Sequence, residues 1–85
     1  LPHVGWNDVR VIGKNYLFKN IPDYNFYFVN SYRLKPKNKN IVTSYCTYGE
    51  TFPSSIRRNN IVAVQFHPEK SQLSGLMLLK NFLTT

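Results

Sequence analysis

Residues 64–72, Val-Gln-Phe-His-Pro-Glu-Lys-Ser-Gln, place an imidazole and a carboxylate two positions apart with a proline between them. In an extended segment residues i and i+2 project to the same side. His67 and Glu69 should therefore face one way, with Pro68 fixing the backbone between them. A carboxylate that accepts the N–H of one ring nitrogen leaves the other nitrogen free as a general base. That is the base-and-orienter half of a catalytic triad. Spacing alone leaves a second reading open, an incidental pair on a polar surface. Metal binding is a third, since imidazole and carboxylate both ligate zinc. His3 is the only other histidine and no Cys/His cluster accompanies it, so no metal is expected. The lone thiol, Cys46, lies in Thr-Ser-Tyr-Cys-Thr-Tyr-Gly, a strand-like alternation. A nucleophilic cysteine usually occupies a sharp strand-to-helix turn flanked by glycines, where a helix N-terminus lowers its pKa. Nothing near Cys46 supplies those features, and it reads as a packing residue.

The elements that must position the pair are mostly strands. Asp8 to Gly13 alternates polar and apolar residues, the period of a half-buried strand. Tyr16 to Phe18 reads as a further short strand piece before a turn at Pro22, Asp23 and Asn25. Phe26 to Leu34 is an aromatic and β-branched strand, and Ile41 to Gly49 alternates again. Residues 51–60 read as irregular, closing on Asn59-Asn60 as a hairpin turn. Ile61 to Phe66 is short and almost continuously apolar, so it is expected to be a central strand covered on both faces. His67 would then stand at the carboxyl end of that strand, where open α/β folds place ligands. One helix is expected over residues 72–84, with Ser71 as its N-cap and Leu73, Leu76, Met77, Leu79, Phe82 and Leu83 as its apolar face. Gly75 in its interior costs about 1 kcal/mol against alanine, which implies a packing reason. A single helix covers one face of a sheet, so other chain segments or a partner are expected to cover the other.

The 85 residues are 42% hydrophobic and 15% aromatic, a globular composition. Eleven Lys and Arg against four Asp and Glu give a formal charge of +7. Such an excess could serve nucleic acid, an anionic membrane surface or an acidic protein partner. Lys35, Lys37 and Lys39 alternate with Pro36 and asparagines and read as a solvated loop. Phosphate-tracking runs interleave aromatics with the basic groups, so nucleic acid is not expected. A single cysteine excludes an internal disulfide and suits a reducing, cytoplasmic compartment. No apolar run approaches the length needed to cross a bilayer, about 20 residues. The first ten residues lack the layout of a signal peptide and begin in mid-pattern without methionine, as if inside a larger gene product.

The stretches Gln-Phe-His-Pro-Glu-Lys-Ser-Gln and Gly-Leu-Met-Leu-Leu-Lys-Asn-Phe closely resemble the end of class I (triad) glutamine amidotransferases. Pro2 to Asn7 (Pro-His-Val-Gly-Trp-Asn) and Phe26 to Tyr32 are similar, more narrowly, to the glutaminase subunits of imidazole glycerol phosphate synthases. Residues 48–71 run in the order of that family's last strands. The resemblance implies an α/β fold. The whole chain, 1–85, would be the C-terminal part of one amidotransferase domain, mostly strands with one C-terminal helix, lacking the half that carries the nucleophile. It implies that a cysteine thiolate attacks the side-chain amide of glutamine, that His67 activates the thiol and shuttles protons, and that Glu69 orients the ring. Ser31 and Tyr32 match the place where the family holds glutamine, and Trp6, Tyr27 and Lys70 match positions at the interface with a synthase (cyclase) subunit that accepts the ammonia. No cofactor is implied. The implied setting is a cytoplasmic heterodimer in histidine biosynthesis.

Two departures bear on this. The family usually has histidine where this chain has Asn30. The glycine-flanked nucleophile and the glycine-rich oxyanion loop are absent, so these residues alone are expected to be inactive toward glutamine. Two alternatives stand beside the histidine pathway: a paralogous amidotransferase that aminates a sugar for surface polysaccharide, and a non-catalytic basic module that binds nucleic acid or an acidic partner.

Overall fold

A computed structural model describes residues 3–30 and 32–84. They form five strands, β1 (His3–Val11), β2 (Asn25–Asn30), β3 (Val42–Tyr48), β4 (Glu50–Arg58) and β5 (Ile61–Val64), and one helix, α1 (Gln72–Leu83). Short 3-10 turns span Tyr16–Phe18, Lys39–Ile41 and Pro68–Lys70. Every pairing is antiparallel, in the order β2-β1-β3-β4-β5. The long strand β1 belongs to two ladders: His3 to Asp8 pair with β2, and Val9 to Val11 pair with β3. The sheet therefore curls. After β5 the chain crosses back to β2, where the His67 N–H donates to the Tyr27 carbonyl at 2.8 Å.

An aromatic core fills the curl. Phe26 and Phe28 project inward from β2, and Phe66 stacks on Phe26 at 4.2 Å and meets Phe28 edge-on at 5.8 Å. Phe18, Phe52, Leu17, Ile21, Val9, Cys46 and Leu78 complete the buried set. Aromatic pairs in these offset and T-shaped arrangements add roughly 0.5–1.5 kcal/mol each beyond their buried area.

The expected architecture, mostly strands with one C-terminal helix, is the one adopted, but four local expectations are corrected. Residues 51–60 are not irregular, because nearly all of them belong to β4. Register shifts leave Thr43 and Ser54 as unmatched residues. There the buried hydroxyls satisfy one another: Ser44 with Ser54 at 2.6 Å, Thr43 with Ser55 at 2.6 Å, and Ser44 with Ser55. Paired hydroxyls remove the penalty that would otherwise keep serine out of a buried strand. Ile61 to Phe66 is not a central strand. β5 is the sheet edge, Ile61 is 68% exposed, and only Phe66, beyond the last paired residue, is fully buried. Tyr16–Phe18 is a 3-10 turn, initiated by the Asn15 side chain accepting from the Leu17 N–H at 3.0 Å. The strand from Phe26 ends at Asn30 rather than Leu34. The Asn59-Asn60 turn between β4 and β5 is as expected, with Asn59 at φ 56°.

The helix follows its expected bounds closely but buries a different face, packed mainly on the Pro68–Lys70 and Tyr16–Phe18 turns. It packs through Ser74, Gly75 and Leu78, with Met77 alongside, while Leu73, Leu76 and Leu83 lie more than half exposed. Asn81 ties it to the first 3-10 turn, donating to the Leu17 and Lys19 carbonyls at 2.9 and 2.7 Å. Ser74 donates to the Asp23 carbonyl at 2.6 Å. No helix is long and apolar enough to cross a membrane among the described residues.

Candidate functional site: the His67–Glu69 pair

His67 and Glu69 converge. The ring Nδ1 lies 2.9 Å from Glu69 Oε2, with the two side chains 35% and 58% exposed. The His67 backbone is still extended (φ −104°, ψ 97°), and the following Pro68–Lys70 turn swings the carboxylate onto the ring. An ionised carboxylate only accepts, so Nδ1 must carry the proton in this contact. The hydrogen bond from the His67 ring is the largest cause holding the Glu69 carboxyl below its ordinary value; its own backbone N–H and the Lys70 charge act in the same direction. Glu69 therefore stays ionised through neutral pH and fixes the tautomer whose Nε2 bears a lone pair. No described group occupies Nε2 by hydrogen bond, and the His67 side chain is partly exposed.

The segment is bolted to β2. The Tyr27 N–H donates to Ser71 Oγ at 2.9 Å, and the Tyr27 carbonyl accepts from the His67 N–H. Ser71 Oγ in turn donates to the His67 carbonyl at 2.7 Å. The expected N-cap role is thus corrected. Ser71 stands at the cap position, but its hydroxyl makes no cap bond because it is turned inward and 1% exposed. Gly75 has the packing reason its cost implied: a Cβ there would lie 1.8 Å from the Pro68 carbonyl oxygen.

The other singled-out residues separate into two places. Trp6, 46% exposed, meets the Tyr27 ring edge-on at 5.7 Å, so these two form one aromatic patch on the β1–β2 ladder. It is not core, because β1 turns that side chain outward. Trp6, Asp23, Ser71 and Leu73 border a shallow depression of ≈ 460 Å³ beside the start of α1. Lys70 is exposed and adjoins Glu69. Tyr32 lies in the loop beyond β2 and is 87% exposed; Ser31 lies outside the described residues. That loop reaches the His67 segment through a residue the sequence did not single out, Gln65, whose Oε1 accepts from the Leu34 N–H at 2.7 Å. Its place two residues before the histidine was the available signal. On the loop's far side Arg33 pairs with Glu50 at 3.2 Å, donates to the Tyr48 carbonyl at 2.9 Å and lies 4.3 Å above the Phe52 ring. Lys35, Lys37 and Lys39 are exposed, as a solvated loop requires.

Two further groups are inert by environment. Cys46 is buried in β3, and burial pushes its thiol up to about 11, against smaller lowering by Arg33. It is a packing residue, as expected. His3 is buried between the Phe28 and Tyr48 rings, 4.3 and 4.0 Å away and nearly parallel to both. Burial first, and the Arg33 charge second, lower its pKa. Among the described residues its Nδ1 has no hydrogen-bond partner, nor has Asn30 Oδ1 opposite it on the ladder. No group of three or more His, Cys, Asp or Glu side chains is arranged to hold a metal ion among the described residues.

The chain is similar to known proteins along nearly its whole length. The chain is 49% identical over 83 residues to the imidazole glycerol phosphate synthase subunit HisH of Moorella thermoacetica, covering 96% of this chain and 40% of that protein. It is 50% identical over 84 residues to the subunit HisH of Dechloromonas aromatica, covering 98% and 39%. The chloroplastic imidazole glycerol phosphate synthase hisHF of Arabidopsis thaliana is 48% identical over 85 residues, with 98% of this chain and 14% of that protein covered. The chain thus spans about two-fifths of the length of the HisH relatives it matches. The family model "Glutamine amidotransferase class-I" matches residues 2–85, and the chain belongs to that family.

Proposed function

We propose that this chain supplies the base-and-orienter part of a glutamine-hydrolysing triad whose thiol comes from another part of the protein, and that it is the C-terminal part of the glutaminase domain. The observation that carries this is the 2.9 Å contact between His67 Nδ1 and Glu69, which leaves Nε2 to face a reactant. In this reading Nε2 takes the thiol proton as the thiolate attacks the glutamine amide carbon. The imidazolium then returns that proton to the departing nitrogen, the carbon–nitrogen bond breaks, and ammonia leaves. Water, deprotonated by the same nitrogen, opens the thioester to give glutamate and the free thiol. Glu69 holds the tautomer and stabilises the transient positive charge.

Ser31 and Tyr32 hold the glutamine, a role supported by the loop's tether to Gln65. The Trp6–Tyr27 patch and Lys70 meet the synthase subunit that receives the ammonia, supported by the exposure of Trp6 and Lys70 and the ring contact between Trp6 and Tyr27. The names of the relatives support imidazole glycerol phosphate synthase as the complex, and the Arabidopsis relative is named as chloroplastic. In the proposed reading the complex works in histidine biosynthesis, in the cytoplasm. The test uses the complete subunit with its synthase. His67→Ala should abolish glutamate release while the synthase keeps turnover on added ammonia, and the 85-residue chain alone should release no glutamate. Glutaminase activity that survives His67→Ala would refute the assignment.

A further inference from the structure

The structure assigns Ser71 as the positioning residue of the His67–Glu69 pair, an inference that rests on the reading of that pair as base and orienter. Its hydroxyl is 1% exposed and makes two bonds at once, accepting from the Tyr27 N–H at 2.9 Å and donating to the His67 carbonyl at 2.7 Å. The His67 N–H closes the circuit on the Tyr27 carbonyl at 2.8 Å. Both peptide groups flanking the imidazole-bearing Cα are therefore pinned to one residue of β2. A serine hydroxyl has one proton to give and lone pairs to receive, so this one side chain ties the turn to the strand in both directions.

The backbone has been bent to make this possible. Gln72 has φ 55°, a left-handed conformation that disfavours any residue but glycine, asparagine or aspartate. Ser71 at φ −103°, ψ 21° and Gln72 together break the chain between the Pro68–Lys70 turn and α1, so the Ser71 side chain enters the protein instead of capping the helix. The Ser71 carbonyl still accepts the Gly75 N–H at 3.2 Å, and the bare Cα of Gly75 lets the Pro68 carbonyl approach the helix. Strain at a non-glycine residue beside a reactive pair is a device for holding a side chain in place.

The test reads the ring itself. In the complete subunit labelled with ¹⁵N-histidine, the neutral His67 ring should favour the Nδ1–H tautomer, identified by its loss in His67→Ala and its dependence on Glu69. Ser71→Ala should lower the ratio of Nδ1–H to Nε2–H about fivefold, the equivalent of roughly 1 kcal/mol for one hydrogen bond. Ser74→Ala removes another buried hydroxyl of α1, that bound to Asp23, and should leave the ratio unchanged. If circular dichroism shows Ser71→Ala unfolded, Ser71→Cys, close in size but a weak donor and acceptor, should lower the ratio in the same direction. A folded Ser71→Ala or Ser71→Cys with the wild-type ratio overturns the assignment, as does an equal drop in Ser74→Ala. A wild-type ring without Glu69-dependent Nδ1–H refutes the base-and-orienter reading instead, so the two failures are distinct.

Discussion

Gly75→Ala is the substitution whose effect follows most directly from the coordinates. In an exposed helix interior it would stabilise by about 1 kcal/mol. Here the new Cβ would fall 1.8 Å from the Pro68 oxygen, 2.7 Å from its carbonyl carbon and 2.9 Å from Ser71 Cβ. Ordinary contact starts at about 3.5 Å, so the Pro68 peptide would have to retreat by more than about 1.5 Å. It is held on both sides: its oxygen accepts the Ser71 N–H at 3.0 Å, and His67 is bonded to β2. Overpacking of a rigid site costs roughly 1–3 kcal/mol, occasionally more. With backbone as the obstacle the upper end applies, and about 2 kcal/mol remains after the helix-propensity gain. For a domain of this size that lowers Tm by roughly 8–16 °C. Chemical denaturation should show a lower midpoint at unchanged slope. A Gly75→Ala protein as stable as the parent would refute the close approach of α1 to the Pro68 turn.

Two further outcomes can be measured on the same material. His3 is held neutral by burial, so between its ordinary value near 6.5 and its lower folded value the unfolded chain binds a proton that the folded chain does not. Stability should fall as pH drops below about 6.5, by at most roughly 1.4 kcal/mol per pH unit. His3→Phe, which keeps a ring between Phe28 and Tyr48, should remove that part of the slope in urea titrations across pH 5 to 7. Cys46, with its thiol pushed up to about 11 by burial, should resist alkylation at pH 7.5 in the native chain and label fully in urea; rapid native labelling would contradict its place in the core.

Much of the site was legible because it is local. The closeness of His67 and Glu69 in sequence made the pair visible, but the extended i, i+2 geometry is not what joins them: Glu69 sits in the Pro68–Lys70 turn, which brings it to 2.9 Å from the ring. The helix was legible from its leucines, yet its packing was not. Periodicity names the apolar face, but the helix turns Ser74, Gly75 and Leu78 inward, Ser74 onto the Asp23 carbonyl and Gly75 onto the Pro68 turn. β4 was hidden because its serines look solvated until their hydroxyls find one another across a bulge. β5 was misplaced because a short apolar run reads alike at the centre of a sheet and at its rim. Ser71 carried a helix-cap signal that was correct about position and wrong about bonding, since only the fold brings Tyr27 within reach from 44 residues away.

Tyr27 belongs to the outermost strand, where unpaired peptide groups invite another chain to add itself. Its N–H and carbonyl are instead saturated by Ser71 and His67, so the turn bearing the reactive histidine also works as an edge guard. Altering that turn to retune chemistry therefore unmasks a strand, and loss of solubility should accompany loss of geometry in the same variants.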